Sequence, residues 1–412
     1  MADAATHASA RVGADDFPCF DGLRAIAALS VAVTHSGFIS GFNVRSSGLG
    51  AYTARMDIGV AIFFVISGFL LYRPFVAARL TERPGPAILP FGRRRALRIL
   101  PAYWVTLTAV ALIPSIQWHK DPTNPVVVEP IDWLAHYGLF HTYHLRFGLI
   151  PVQQAWTLVT EIAFYAMLPL YALVLRRFAG PIERRFRHEL LGVAALFAAG
   201  LAFRTLVLFG VDHDGWRGTM NLWLLPRLDH FALGMTLAVL SVWHREVGRE
   251  PAWSRHRALP AVSWALGAAS FWFLSVGFGL DAHRGQVNFS LAQEWWLLLF
   301  WGIVGVTAIA PAVFGPQRSG SIRALLRWRP IAWLGTISYG IYLWHEAVLD
   351  WYLRRPGNVV FGTPVIETTV IMLLGSIVLA ALSYYVVERP ALSLKNRPVT
   401  QWFRRPAGAV NP

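Results

Sequence analysis

The chain has 412 residues, of which 55% are hydrophobic and 15% charged, with 18 Trp and a positive mean hydropathy; this is the composition of a polytopic helical membrane protein, and no soluble domain of that length needs it. A net charge of +14 does not point to nucleic acid, because the basic residues fall in short clusters between apolar runs and no nucleic-acid recognition motif accompanies them. The single cysteine, Cys19, excludes an intrachain disulfide and a cysteine metal cluster.

Residues 1–19 are Ala-rich and mixed in charge, without the basic start and apolar core of a cleavable signal, and are expected to form a cytoplasmic tail. The first apolar run, FDGLRAIAALSVAVTHSGF from Phe20 to Phe38, carries one arginine, Arg24, and one histidine, His35. Ionisable side chains inside a spanning helix are costly, so they face a protein interior or a water-filled cavity and mark function. Their spacing corresponds to about 16 Å of helix rise. Arg24 therefore sits near one membrane face and His35 past the midplane. The bland alternative is that Arg24 snorkels as an interfacial anchor and His35 is hydrogen-bonded to a neighbouring helix.

Runs of about 20 apolar residues, enough to span, recur at 23–42, 58–76, 99–116, 156–175, 190–210, 222–242, 260–280, 294–314, 331–352 and 365–387. The expected fold is all-α, with about ten transmembrane helices and both termini on one side. Of the 37 Lys and Arg, 26 fall in the tails and the loops 73–98, 176–189, 243–259 and 315–330, against 8 in the alternate loops. By the positive-inside rule the rich set, with both termini, is cytoplasmic. The stretch 131–146 is too short and too rich in His to span comfortably, and counting it would invert every later loop, so it is read as a re-entrant or surface segment on the outer side. No internal repeat is evident, which weakens the case for a repeat-built transporter. One membrane domain, 20–391, thus carries the chemistry, followed by a cytoplasmic tail at 392–412.

On this topology His35, Glu161 and His345 share one layer toward the outer face, with Arg227, Asp229 and His230 close by. Such a layer serves either as structural glue between helices or as a site of proton transfer, with a histidine as base oriented by a carboxylate. At the cytoplasmic face lie Arg24 and the cluster Arg93, Arg94, Arg95 and Arg98. Arg95 and Arg98 are three apart on a helix and share a face, which suits a phosphate clamp. Arg93 and Arg94 read as a flank touching anionic membrane lipid. A cytoplasmic anion site and an outer histidine layer together suggest a phosphorylated donor threaded from inside.

Six stretches in order are similar to the signatures of the integral-membrane acyltransferase family called acyltransferase 3. They are the Arg24-to-His35 segment, GVAIFFVISGFLL from Gly59, RRALRILPAYW from Arg94, WTLVTEIAFY from Trp156, ISYGIYLWHEAVL from Ile337 and LSYYVVERPAL from Leu382. In the fourth, Thr157 replaces the family serine and Glu161 takes the position of the family carboxylate. The resemblance covers roughly 20–392, with no attached soluble esterase-like domain. It implies transfer of an acyl group, commonly acetyl, from cytoplasmic acyl-CoA to a hydroxyl of an acceptor at or beyond the outer face, with Arg24, His35, Arg95 and Arg98 essential. The expected roles are His35 as base, Glu161 as its orienting group or as a group acting on the acceptor, and Arg24, Arg95 and Arg98 as donor contacts. Arg227, Tyr342 and His345 are candidates for stabilising the oxyanion. An acyl-histidine intermediate and direct transfer both stay open. The expected partners are acyl-CoA, a carbohydrate or glycolipid acceptor and membrane lipid; no bound cofactor is expected.

A serine hydrolase is disfavoured because Ser67 and Ser338 lack a nucleophile-elbow pattern. No metal site is expected at His136, His141 and His144, which lack a ligand motif. Trp295, Trp296 and Trp301 are compatible with a sugar platform, although belt and packing roles are the commoner use. The runner-up function is a proton-coupled transporter or a flippase of an acylated or glycosylated substrate, which also uses buried His, Glu and Arg.

Overall fold

The structure is a computed structural model that describes residues 17–45, 48–113, 129–147, 149, 151–211, 215–249, 254, 256–277 and 290–396. Most of both expected tails lies outside the described residues. Among the described residues the regular structure is entirely helical. In chain order the α-helices are α1 Phe20–Ile39, α2 Phe42–Arg45, α3 Leu49–Thr53, α4 Ile58–Leu80, α5 Ile88–Leu112, α6 Pro130–Tyr137, α7 Trp156–Arg176, α8 Ile182–Gly210 and α9 Trp216–Met220. They continue with α10 Leu228–Arg245, α11 Leu259–Val276, α12 Leu291–Val313, α13 Ser321–Leu326, α14 Arg329–Thr336, α15 Ser338–Leu353, α16 Val365–Ser383 and α17 Arg389–Ser393.

Among the described residues, seven helical stretches are long and apolar enough to cross a membrane; they contain α1, α4, α7, α8, α11, α12 and α16. The three other runs expected to span coincide with α5, α10 and α15. Each falls short of that measure for its own reason. The start of α5 holds the arginine cluster, α10 carries Asp229, His230 and Arg245 in 18 residues, and α15 has 16 residues because the helix is interrupted at Ile337. The stretch expected to stay outside forms the eight-residue α6 followed by short 3-10 turns. Its histidines pack on one another: His136 and His141 stack at 4.5 Å, and burial together with the neighbouring His136 ring pushes His141 down to about 3.

The helices begin and end where backbone chemistry dictates. Ser290 and Gln293 form a capping box at the start of α12, each side chain accepting from the other's backbone N–H. Within α12, Pro311 has no N–H to offer Thr307 O, and the Ser263 hydroxyl donates to that carbonyl at 3.0 Å. At its C-terminal end, Arg323 donates to Pro311 O and Phe314 O and Arg245 to Val313 O. Cationic side chains thus satisfy carbonyls that the helix leaves unpaired.

Close backbone approach holds the centre together. A Cβ on Gly68 of α4 would lie 2.2 Å from Phe231 O of α10, and one on Gly234 of α10 would lie 2.1 Å from Val65 O of α4. A methyl group at either position forces the two helices apart. Phe231 stacks on Phe64 at 4.7 Å and on Phe164 at 4.1 Å, tying α4, α7 and α10 into one core. Helix α1 packs against α4, α14, α15 and α16, which places Arg24 and His35 inside the bundle. The segment before α1 belongs to this core too. Phe17 and Cys19, expected in the tail, are 4% and 0% exposed, and the guanidinium groups of Arg73 and Arg245 lie 5.3 and 4.8 Å from the centre of the Phe17 ring.

Candidate active site: two chambers meeting at Tyr342

Two chambers open inside the bundle. The one at the Arg24 end of α1, called the inner chamber, is lined by Arg24 of α1, Ser67 of α4, Arg95 and Arg98 of α5, Thr157, Glu161 and Tyr165 of α7, and Ser338, Tyr339 and Tyr342 of α15. The one at the His35 end of α1, called the outer chamber, is lined by His35, Asp57, Gln153, Gln154, Trp156, Arg227, His230, Trp301, Tyr342 and Glu346. Tyr342, Val60 and Phe64 belong to both walls. The Tyr342 hydroxyl is held at 2.9 Å from Thr157 Oγ1 and 3.2 Å from Gln154 O. Thr157, which stands where the family pattern has serine, thus uses its hydroxyl at the partition.

Arg24, Arg95 and Arg98, grouped from depth and spacing, share the inner chamber. Their ends are lightly tethered. Arg24 pairs with Asp21 of its own helix at 2.9 Å, Arg95 lies over the Phe91 ring, and Arg98 is 4.0 Å from Glu388. Three guanidinium groups against one lining carboxylate, Glu161, make the chamber an attractive place for an anion.

The histidine layer is built differently from the expectation. His35 Nδ1 lies 2.7 Å from Glu346 Oε1 and 3.0 Å from His345 Nε2, both contributed by α15. Glu161 is not beside His35. It lies in the inner chamber, accepting from Ser67 Oγ at 2.9 Å and from Tyr165 OH at 2.6 Å. The physical reason is packing: α15 lies against α1, whereas α7 packs on α4 and α5. Glu346 and Asp57 were both missed from sequence, and the only signal for the first was a second ionisable residue next to His345 in LWHEAVL. The ligand atoms of His35, His345 and Glu346, all metal-ligand residue types, lie within 4.8 Å of one another.

On the far wall of the outer chamber, Arg227 lies over the Trp156 ring at 5.3 Å and donates from Nε to Asn221 O at 2.9 Å. Next to it Asp229 pairs with Arg204 at 3.1 Å, accepts from the His230 backbone N–H at 2.7 Å and lies 2.8 Å from His230 Nδ1. Of the three tryptophans singled out from sequence, Trp301 lines the chamber, whereas Trp295 and Trp296 are exposed.

The acyltransferase 3 family, described as an acyltransferase domain, matches residues 17–387. The chain belongs to this family. With seven apolar helices able to cross a membrane among the described residues, it is a multi-pass protein of the plasma membrane. Among its relatives, a Bacillus subtilis protein provisionally named peptidoglycan O-acetyltransferase YrhL is 28% identical over 90% of this chain and 54% of its own length. The peptidoglycan O-acetyltransferase OatA of Listeria monocytogenes is 25% identical over 94% of this chain and 60% of its own length. The chain therefore spans little more than half the length of these two. A Komagataeibacter xylinus protein provisionally named membrane-bound transacylase BcsY is 28% identical over 92% of this chain and 83% of its own length. No solved structure matches the chain.

Proposed function

We propose that the protein is a membrane O-acyltransferase that moves an acyl group, acetyl first among candidates, from cytoplasmic acyl-CoA to a hydroxyl of an envelope glycan. The observation that carries this reading is the pair of chambers, one rich in arginine and one built around His35, that share a wall at Tyr342. The names of the relatives, two of which specify peptidoglycan, support the choice of acceptor. Ten spans with both termini cytoplasmic put the arginine chamber on the side where acyl-CoA is made, in keeping with the bias of Lys and Arg between the loops.

In this mechanism Arg24, Arg95 and Arg98 hold the phosphates of the donor and the thioester reaches the partition. His35 donates Nδ1–H to Glu346, which fixes the ring and leaves Nε2 to act as the base. The acceptor oxygen attacks the thioester carbonyl as Nε2 takes its proton, and the carbon–sulfur bond then breaks. The departing CoA sulfur receives that proton, and the products are the ester and the free thiol. The Tyr342 hydroxyl, at the junction, is the donor best placed for the developing oxyanion. Glu161 belongs to the donor side, where Ser67 and Tyr165 fix its carboxylate.

The test is a comparison of envelope glycans by mass spectrometry with and without this gene, alongside free-thiol release by the purified protein given acetyl-CoA and glycan fragments. Loss of one acyl mass and glycan-dependent thiol release are expected. A transporter would change the location of a substrate and leave its mass unaltered.

A further inference from the structure

His35, His345 and Glu346 meet in a way that a single proton serves poorly. With Glu346 ionised, His35 Nδ1–H points at Glu346 Oε1 at 2.7 Å, and His345 Nε2, 3.0 Å from the same nitrogen, has to share that hydrogen. Were the proton on His345 Nε2 instead, the carboxylate would face the bare lone pair of His35 Nδ1. Three lone pairs thus converge on one point, the arrangement that a cation accepting all three would use.

The geometry suits a small tetrahedral ion. Zn²⁺, with bonds of about 2.0–2.2 Å to nitrogen and carboxylate oxygen, holds its ligand atoms about 3.3 Å apart. The three ligand atoms here all lie within 4.8 Å of one another, and the two hydrogen-bonded pairs have only to open slightly. Two imidazoles and one carboxylate favour Zn²⁺ over Mg²⁺ or Ca²⁺, which take oxygen ligands. All three residues stand on packed helices, α1 and α15. His345 is fully buried, whereas His35 and Glu346 line the outer chamber and give an ion a way in. The same wall carries a second carboxylate, Asp57, whose buried Oδ1 has no hydrogen-bond partner among the described residues, against one arginine, Arg227.

From this convergence we infer that His35, His345 and Glu346 bind Zn²⁺ or a similar divalent cation, and that the bound ion switches the site off. A neutral imidazole that binds metal through Nδ1 carries its one proton on Nε2. That nitrogen then has no lone pair for the proton of an attacking hydroxyl. The inhibition rests on the acyl-transfer reading; the binding does not.

The test uses the full chain in detergent, without a polyhistidine tag. Calorimetry should show a Zn²⁺ site that a large excess of Mg²⁺ leaves in place. His345→Gln and Glu346→Gln should each weaken it by at least about 10-fold, since even changes to groups outside the ligand shell cost that much. Co²⁺ in place of Zn²⁺ should give the intense visible absorption of a tetrahedral centre, a reading that needs no variant. Unchanged Zn²⁺ affinity in both variants, or the weak spectrum of octahedral Co²⁺, overturns the site. Ester formation from acetyl-CoA is followed in parallel; Zn²⁺ should suppress it and EDTA should restore it. Zn²⁺ held by these ligands with ester formation undiminished keeps the site and removes His35 Nε2 as the base. Ester formation without Zn²⁺ binding overturns the site and leaves acyl transfer standing, whereas Zn²⁺ binding with no ester, even after EDTA, does the reverse.

Discussion

Glu346 Oε1 lies 2.7 Å from His35 Nδ1, so the carboxylate that steadies the proposed base comes from α15, the helix packed beside α1. An imidazole can be a base at one nitrogen only if the other holds its proton in a fixed direction. Glu346→Gln can keep the packing and a hydrogen bond but can no longer fix that tautomer. Turnover should fall roughly 10²- to 10⁴-fold, the span associated with losing a correctly oriented base, while KM for acetyl-CoA is little changed. Steady-state kinetics separates the two constants. A variant with a raised KM and normal kcat would place Glu346 among donor contacts.

Donor binding should depend on the other face. Arg95→Ala or Arg98→Ala removes a charge-assisted contact, worth about 1.5–3 kcal/mol, so acetyl-CoA affinity should drop about 10- to 150-fold. Lys at either position should restore it only in part, because an ammonium cannot make the two-pronged contact of a guanidinium. Calorimetry with acetyl-CoA on the detergent-purified protein reads this directly. Unchanged affinity in a folded double Ala variant would remove both arginines from the donor site.

The proposed topology makes its own prediction. Cysteines introduced singly at 73–98, 176–189, 243–259 or 315–330, in a variant lacking Cys19, should resist an impermeant thiol reagent in intact cells and react after permeabilisation. Labelling of the 243–259 loop from outside would break the ten-span arrangement.

The helices were legible because apolar runs of spanning length leave a strong signature: α5, α10 and α15 occupy expected positions even though their charged and interrupted sequences dilute the signal. The meeting of Arg24 with Arg95 and Arg98 was legible too, from depth and the three-residue spacing. The partner of His35 was not. His345 and Glu346 are consecutive, and consecutive helical residues point about 100° apart, so which of them meets α1 depends on how α15 is rotated. Both reach His35. Depth along the helix placed Glu161 in the right bundle but says nothing of azimuth, and α7 turns that carboxylate toward Ser67 and Tyr165. Asp57 escaped because it stands at the very start of α4, where an acidic residue ordinarily reads as a helix-end charge.

The most direct measurement is single-turnover transfer of labelled acetyl from acetyl-CoA to a glycan acceptor by His35→Gln and His35→Ala proteins shown to be inserted and folded. Because the proposed donor contacts lie near Arg24, about 16 Å away along α1, both variants should still bind acetyl-CoA. Both should transfer roughly 10²- to 10⁴-fold more slowly, since neither side chain can take the hydroxyl proton. Substantial transfer by His35→Gln, with only the Ala variant impaired, would contradict the account by reducing His35 to a hydrogen-bonding and packing residue.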